Sequence, residues 1–217
     1  MDPNLITLRD PRSPAAEAYR ALRMNLAFTS LDRELSSFVV ASPAAADLDH
    51  TFAANLAVVM AQAGKRVCLV DADLRRPHLH ELFGSAQAPG VTTFMLSQDG
   101  DVALPLVGTS VAGLSLLPSG ALPPNPADIL GSQKRGILLG QLQQAADVII
   151  LQAPPVTVAV DASVLAAQTE GLLLVVRTGT TRRDRVEQAK ELLERFKVRL
   201  LGAVLTDAPD RGLLTGY

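Results

Sequence analysis

Two short stretches concentrate the residues whose types and spacing could do chemistry. Between the apolar run Phe38-Val39-Val40-Ala41 and the helical run Phe52-Ala53-Ala54-Asn55-Leu56-Ala57 lies Ser42-Pro43-Ala44-Ala45-Ala46-Asp47-Leu48-Asp49-His50-Thr51. Further on, the run Val67 to Val70 ends in Asp71-Ala72-Asp73. Strand, loop, helix and a second strand closed by Asp-x-Asp is the layout of a phosphate-binding loop. Such a loop needs glycines whose amides curl around phosphates, a Lys for the β- and γ-phosphates, and a Ser or Thr for magnesium. The order of elements is kept here, while glycine and lysine are missing from the loop.

The elements that must position these residues are legible from periodicity and punctuation. Residues 1–12, rich in Pro, Asp and Arg, read as a loose lead-in. A helix is expected from Ser13 as N-cap, with Pro14 at its first position and Glu17 in its first turn. Leu22, Leu26 and Phe28 supply its apolar stripe. Ser37 to Ser42 reads as a buried strand, and Thr51 to Ala63 as a helix closed by Gly64. Val67 to Val70, Val148 to Leu151, Leu172 to Val176 and Leu200 to Leu205 read as further strands, with Ala103 to Val107 and Leu114 to Leu117 as additional ones. Pro118 to Pro126 reads as a loop and Arg182 to Phe196 as a charged helix. Apolar strands that do not alternate, separated by helices, imply a parallel sheet covered on both faces. Right-handed crossovers make it a doubly wound, three-layer α/β fold whose ligands bind at the carboxyl ends of the strands. No repeat and no internal boundary appear, so one domain is expected over 13–207, with an N-terminal helical arm and a tail at 208–217.

Composition narrows the function classes. The 217 residues are 48% hydrophobic and 19% charged, which suits one soluble globular domain. A formal net charge of −2 gives no electrostatic reason to expect nucleic acid as a partner. The longest apolar stretch, Phe52 to Ala63, falls short of the roughly 20 residues that cross a bilayer. The amino terminus lacks the basic and apolar regions of a secretory signal, and the single cysteine, Cys68, allows no disulfide within the chain. A cytoplasmic protein is expected.

The sequence resembles the bacterial tyrosine kinases, deviant Walker ATPases that work in capsular and exopolysaccharide synthesis and export. The resemblance is carried by Glu17-Ala-Tyr-Arg20-Ala-Leu-Arg23, Ala53-Ala-Asn-Leu-Ala57, Val70-Asp-Ala-Asp-Leu-Arg-Arg-Pro77 and Leu79-His-Glu-Leu-Phe83. Leu117-Pro-Ser-Gly120, Pro123-Pro-Asn-Pro126 and Leu201-Gly-Ala-Val-Leu205 add to it, in the same order and at similar spacing from about Asp10 to Asp207. Counted back from Asn55, Asp49 stands at that family's phosphate-loop Lys, Leu48 at the glycine before it, His50 at the Ser or Thr after it, and Ala44 and Ala46 at earlier glycines. Asp47 and Thr51 complete the degenerate loop. The resemblance further implies that Gln152 replaces the Walker B Asp and Thr206 the Asn near adenine, while Asp71 and Asp73 keep the Walker A′ positions that handle magnesium.

Magnitudes decide what the substitutions imply. A lost charged hydrogen bond to phosphate costs roughly 1.5–3 kcal/mol. A carboxylate beside phosphate adds roughly 4 kcal/mol of repulsion at an effective dielectric near 20. A bulky residue at a left-handed glycine position costs about 1–2 kcal/mol more. About 5 kcal/mol already weakens binding more than a thousandfold. Lys65 is no substitute for the missing lysine, since it lies beyond the helix. No ATP, magnesium or other metal cofactor is therefore expected, and Asp71 and Asp73 read as a strand-end pair held by backbone amides and by Arg75.

Other residues are weighed in the same way. Glu17, Arg20 and Arg23 resemble the family's oligomerisation motif, and three-residue steps put them on one helical face. His50, His78 and His80 are poorly spaced for a metal and read as loop residues. Arg182, Arg183, Arg185, Lys190 and Arg195 alternate with Glu187, Glu191 and Glu194, with Glu191 and Arg195 as an i,i+4 pair, so the helix reads as a solvated face. Active members of the family end in a tyrosine cluster, whereas this sequence ends Gly212-Leu-Leu-Thr-Gly-Tyr217 with Tyr19 its only other tyrosine.

The resemblance thus implies a catalytically inactive relative that self-assembles through its N-terminal helix and docks on a membrane-embedded polysaccharide co-polymerase or adaptor at the inner face of the membrane. There it would scaffold or regulate polysaccharide assembly. The alternatives are an active ATP-dependent tyrosine autokinase with an atypical loop, using ATP and magnesium, and a ParA/MinD-type positioning protein. The latter would need a basic or amphipathic element for DNA or lipid, which the sequence does not supply.

Overall fold

The computed structural model describes residues 5–28, 35–47, 49–97 and 103–208. Seven strands form one sheet: β1 (Ser37–Ala41), β2 (Val67–Asp71), β3 (Val107–Gly108), β4 (Leu114–Leu117), β5 (Val148–Gln152), β6 (Leu172–Arg177) and β7 (Leu200–Thr206). Their order is β3-β4-β2-β5-β1-β6-β7, with every pair parallel except β3 and β4. β1, β2 and β5 are buried along their whole length. That double-sided burial is why they read as unbroken apolar runs.

Alternation along each strand sends side chains to two cores. Phe38, Val40, Val67, Leu69, Ile150 and Leu173 face α3 (Phe52–Gln62), and Val39, Ala41, Val70, Ile149, Leu151 and Leu174 face the opposite layer. That opposite layer is built from α5 (Val91–Leu96), α6 (Pro126–Gly131), α7 (Lys134–Ala145), α8 (Asp161–Ala166) and α9 (Arg183–Arg195). α3 is buried at every residue from Phe52 to Ala61, because the sheet covers one side and the N-terminal arm the other. This explains a helix apolar around its whole circumference. Cys68 lies fully buried in β2, where burial pushes its thiol up to about 12.

Four sequence expectations change. The expected loose lead-in contains a helix: α1 (Ile6–Arg9) packs on α3, and Leu5 is wholly buried. In α2 (Pro14–Phe28) Leu26 is buried but Phe28 is exposed, so the apolar stripe ends at Leu26. The strand expected at Ala103 to Val107 is only the two-residue antiparallel β3. On α9 the i,i+4 pairs are Arg183–Glu187 and Lys190–Glu194, where the sequence suggested Glu191 with Arg195. The tail beyond residue 208 lies outside the described residues. Among the described residues, no helix is long and apolar enough to cross a membrane.

Candidate functional site

The chain leaves β1 through Ser42, whose hydroxyl donates to the Ala44 carbonyl at 3.1 Å. Ala45–Asp47 then make a single 3-10 turn, with the Asp47 amide on the Ala44 carbonyl at 3.0 Å. Ala44 is half-buried and Ala46 exposed, while Asp47 turns inward and its Oδ2 meets no protein donor. Leu48 lies outside the described residues. Asp49 Oδ1 accepts from both the Thr51 amide and the Thr51 hydroxyl, each at 2.9 Å. The Thr51 carbonyl in turn accepts the Asn55 amide at 2.9 Å and Asn55 Nδ2 at 3.0 Å. The first turn of α3 is thus closed by the chain's own carboxylate. Unpaired amides and the helix dipole favour a negative group there, and an anionic ligand is held in the same place in other proteins.

The two acids at the end of β2 are each held by backbone amides. Asp71 is fully buried, and its Oδ2 accepts from the His78 and Leu79 amides at 3.0 and 2.9 Å, at the start of the short α4 (Leu79–Leu82). Its Oδ1 has no protein donor. Burial pushes Asp71 up to about 7, outweighing those two amides, and the charge of Asp73 adds to the rise. Asp73 Oδ1 accepts the Arg75 and Arg76 amides at 3.1 and 3.0 Å. The Arg75 side chain does not hold this pair, as the sequence suggested. It reaches the buried Asp161 at the start of α8, with Nε on Oδ2 at 3.0 Å. Asp161 sits 86 residues from Arg75, and no local pattern pointed to it.

Gln152 stands beside Asp71 in the β2–β5 register and follows Ile150 in the alternation, so both lie at the carboxyl edge of the α3 face. Gln152 is buried, its Nε2 reaches the Ala153 carbonyl at 3.3 Å, and its Oε1 lacks a protein donor. His50 and His78 meet edge to face with ring centroids 4.3 Å apart, and His78 Nε2 lies 3.0 Å from the His50 carbonyl oxygen. Burial lowers the pKa of both; the neighbouring His78 lowers His50 further. Among the described residues, no three of His, Cys, Asp and Glu gather closely enough to hold a metal ion.

Where the loops after β1, β2 and β5 meet, Ala45, Asp73, Arg75, Arg76, Pro154 and Val158 line a cleft of about 250 Å³. It opens at the carboxyl ends of the strands, where this topology places ligands. A larger hollow of about 350 Å³, around Val67, Gly113 and Leu114, lies at the opposite end of the strands, away from these acids. Thr206, at the end of β7, is separated from β1 by β6 and does not join the group; its carbonyl accepts the Thr178 amide and its Oγ1 has no protein partner.

On α2, Glu17 and Arg20 pair with each other at 2.7 Å, and Arg20 also reaches the Pro11 carbonyl. These two residues, with Pro11, Arg12 and Pro14, frame an open groove of about 420 Å³. Arg23 Nε is buried and unpartnered. Tyr19, on the same helix, lies against Phe52 at 5.5 Å between ring centroids. Its hydroxyl is pushed well above the ordinary tyrosine range by burial and then by the charge of Asp49.

Comparison with known proteins gives one consistent picture. A family model described as ParA, NUBPL iron-transfer P-loop NTPase, matches residues 49–206. The chain is 37% identical over 205 residues to tyrosine-protein kinase YwqD of Bacillus subtilis (strain 168), covering 94% of this chain and 86% of that protein. Its fold superimposes on the chimerical protein CapA2B2 with a TM-score of 0.88 at 34% identity, covering 95% of this chain and 90% of that one. The kinase domain of the Escherichia coli tyrosine kinase ETK matches with a TM-score of 0.86 at 27% identity, over 95% of this chain and 82% of that one.

Proposed function

The chain belongs to the bacterial tyrosine-protein kinase family of ParA-like P-loop NTPases, and from that premise we propose that it is a pseudokinase, a member that scaffolds or regulates instead of transferring phosphate. The observation that carries this reading is Asp49. At the position of the family's phosphate-loop Lys stands a carboxylate, already seated on the Thr51 amide and hydroxyl. A triphosphate arriving there would meet roughly 4 kcal/mol of repulsion at an effective dielectric near 20 and would find those two donors taken.

The surrounding residues argue the same way. His50 and Gln152 stand where the family's magnesium ligands would be. Asp71 has one carboxylate oxygen already taken by the His78 and Leu79 amides. These groups do not fit a magnesium nucleotide. The retained sheet and arm then serve assembly. Glu17, Arg20 and Arg23 on α2 would join copies of the chain into a homo-oligomer. The partner is a membrane-embedded co-polymerase or adaptor of capsule and exopolysaccharide synthesis, which would hold the chain at the inner face of the membrane.

Incubation of the purified chain with γ-labelled ATP and magnesium, read by phosphotyrosine detection and by calorimetric titration, tests the reading. The expected result is no transfer and no ATP binding at micromolar concentration. Robust phosphotyrosine formation, abolished by Asp71→Ala, would overturn it in favour of an active autokinase.

A further inference from the structure

The degenerate loop is tied to the amino-terminal segment through one buried side chain. Thr7 and Asn55 are each 1% exposed. The Thr7 amide and hydroxyl both donate to Asn55 Oδ1, at 3.1 and 2.8 Å. Asn55 Nδ2 donates to the Thr51 carbonyl at 3.0 Å, and Thr51 donates twice to Asp49 at 2.9 Å. Five hydrogen bonds thus run from residue 7 to residue 49 without a break. Beside them, Tyr19 of α2 packs on Phe52, the first residue of α3.

The dependence is mutual. α1 has four residues, too few to be helical by its own propensity, so its order comes from the buried Leu5 and from the Thr7–Asn55 contact. Asn55, for its part, has its amide orientation fixed by those two donors, because only with Oδ1 toward Thr7 does Nδ2 face the Thr51 carbonyl.

We infer that residues 5–9 are a latch: seated on Asn55, they hold Thr51 closed on Asp49 at the head of α3, and lifting them off releases that closure. A pull on the amino terminus is thereby transmitted to the carboxyl edge of the sheet. The device operates whether or not the chain transfers phosphate, so its failure and that of the pseudokinase reading are separable.

Amide hydrogen exchange on the full chain tests it, comparing the native sequence with Thr7→Val and Thr7→Ser. Val keeps the shape of Thr and its backbone donor but loses the hydroxyl bond, whereas Ser keeps the hydroxyl. The expected result for Thr7→Val is about tenfold faster exchange at the Thr51 and Asn55 amides, the size of one lost buried hydrogen bond. Exchange across β6 should stay at the native rate, and Thr7→Ser should restore the loop. Acceleration confined to residues 5–9 would overturn the latch, as would acceleration spread evenly over the chain, unchanged rates, or a Thr7→Ser variant that behaves like Thr7→Val.

Discussion

The loop after β1 and the loop after β2 leave the same edge of the sheet, yet they hold their acids in different ways. After β2, Asp71 and Asp73 each accept two backbone amides: His78 and Leu79 for Asp71, Arg75 and Arg76 for Asp73. After β1, the loop holds no glycine and no lysine, and the place at the head of α3 is filled by Asp49. An acid at a strand end can thus carry a backbone role that is independent of any metal chemistry. Removing Asp71 would strand two buried amides, so its retention is no evidence of magnesium handling.

The sharpest way to break this comparison is to rebuild the first loop. A variant with Ala46→Gly, Leu48→Gly, Asp49→Lys, His50→Ser and Gln152→Asp is expected to bind magnesium ATP at least about a thousandfold more tightly than the native chain, by calorimetry, since roughly 5 kcal/mol of penalty is removed. No gain in affinity would mean that the second loop has also lost its role. Next in size, Asp71→Ala leaves the His78 and Leu79 amides without acceptors, and urea unfolding should show a loss of about 2–3 kcal/mol. Arg75→Met strands the buried Asp161 carboxylate and should cost about 2 kcal/mol by the same measurement.

A smaller effect is readable in pH. Asp71 has a folded pKa near 7, raised above its unfolded value, so the folded state binds the extra proton. The stability this brings is full at low pH and is lost as pH rises through 7. From pH 6.5 to 8 the native chain should lose roughly 1 kcal/mol that Asp71→Asn does not lose. The lowered His50 and His78 act in the opposite sense, adding stability as pH rises until their unfolded imidazoles are deprotonated, about one unit above 6.5, and this contribution is common to the native chain and Asp71→Asn. Smallest of all, Glu17→Ala breaks an exposed pair and should change monomer stability by less than about 0.5 kcal/mol. Sedimentation of that variant reads the proposed assembly role directly.

How far the sequence could be read depended on range. β1, β2, β5 and β6 were legible because strands buried on both faces leave continuous apolar runs. β3 was not, because two antiparallel residues carry no period. α1 was missed for a related reason: it is held by Thr7 on Asn55, 48 residues away, not by any local pattern. At the candidate site, the positions of Asp49, Asp71 and Gln152 followed from alignment with a family pattern. Their partners did not, since neither Asp161 beside Arg75 nor the Asp49–Thr51 closure alters the spacing of motifs.

Cys68 gives the molecule a reporter of its own. It is the only cysteine, it is sealed in β2 near the middle of the sheet, and its thiol is held up to about 12. A maleimide or disulfide reagent added to the native protein therefore reacts only with molecules whose central strands have parted, at the rate of that parting. Labelling time becomes a clock for global opening, set apart from the loop movements at the edge of the sheet, and it requires no engineered probe.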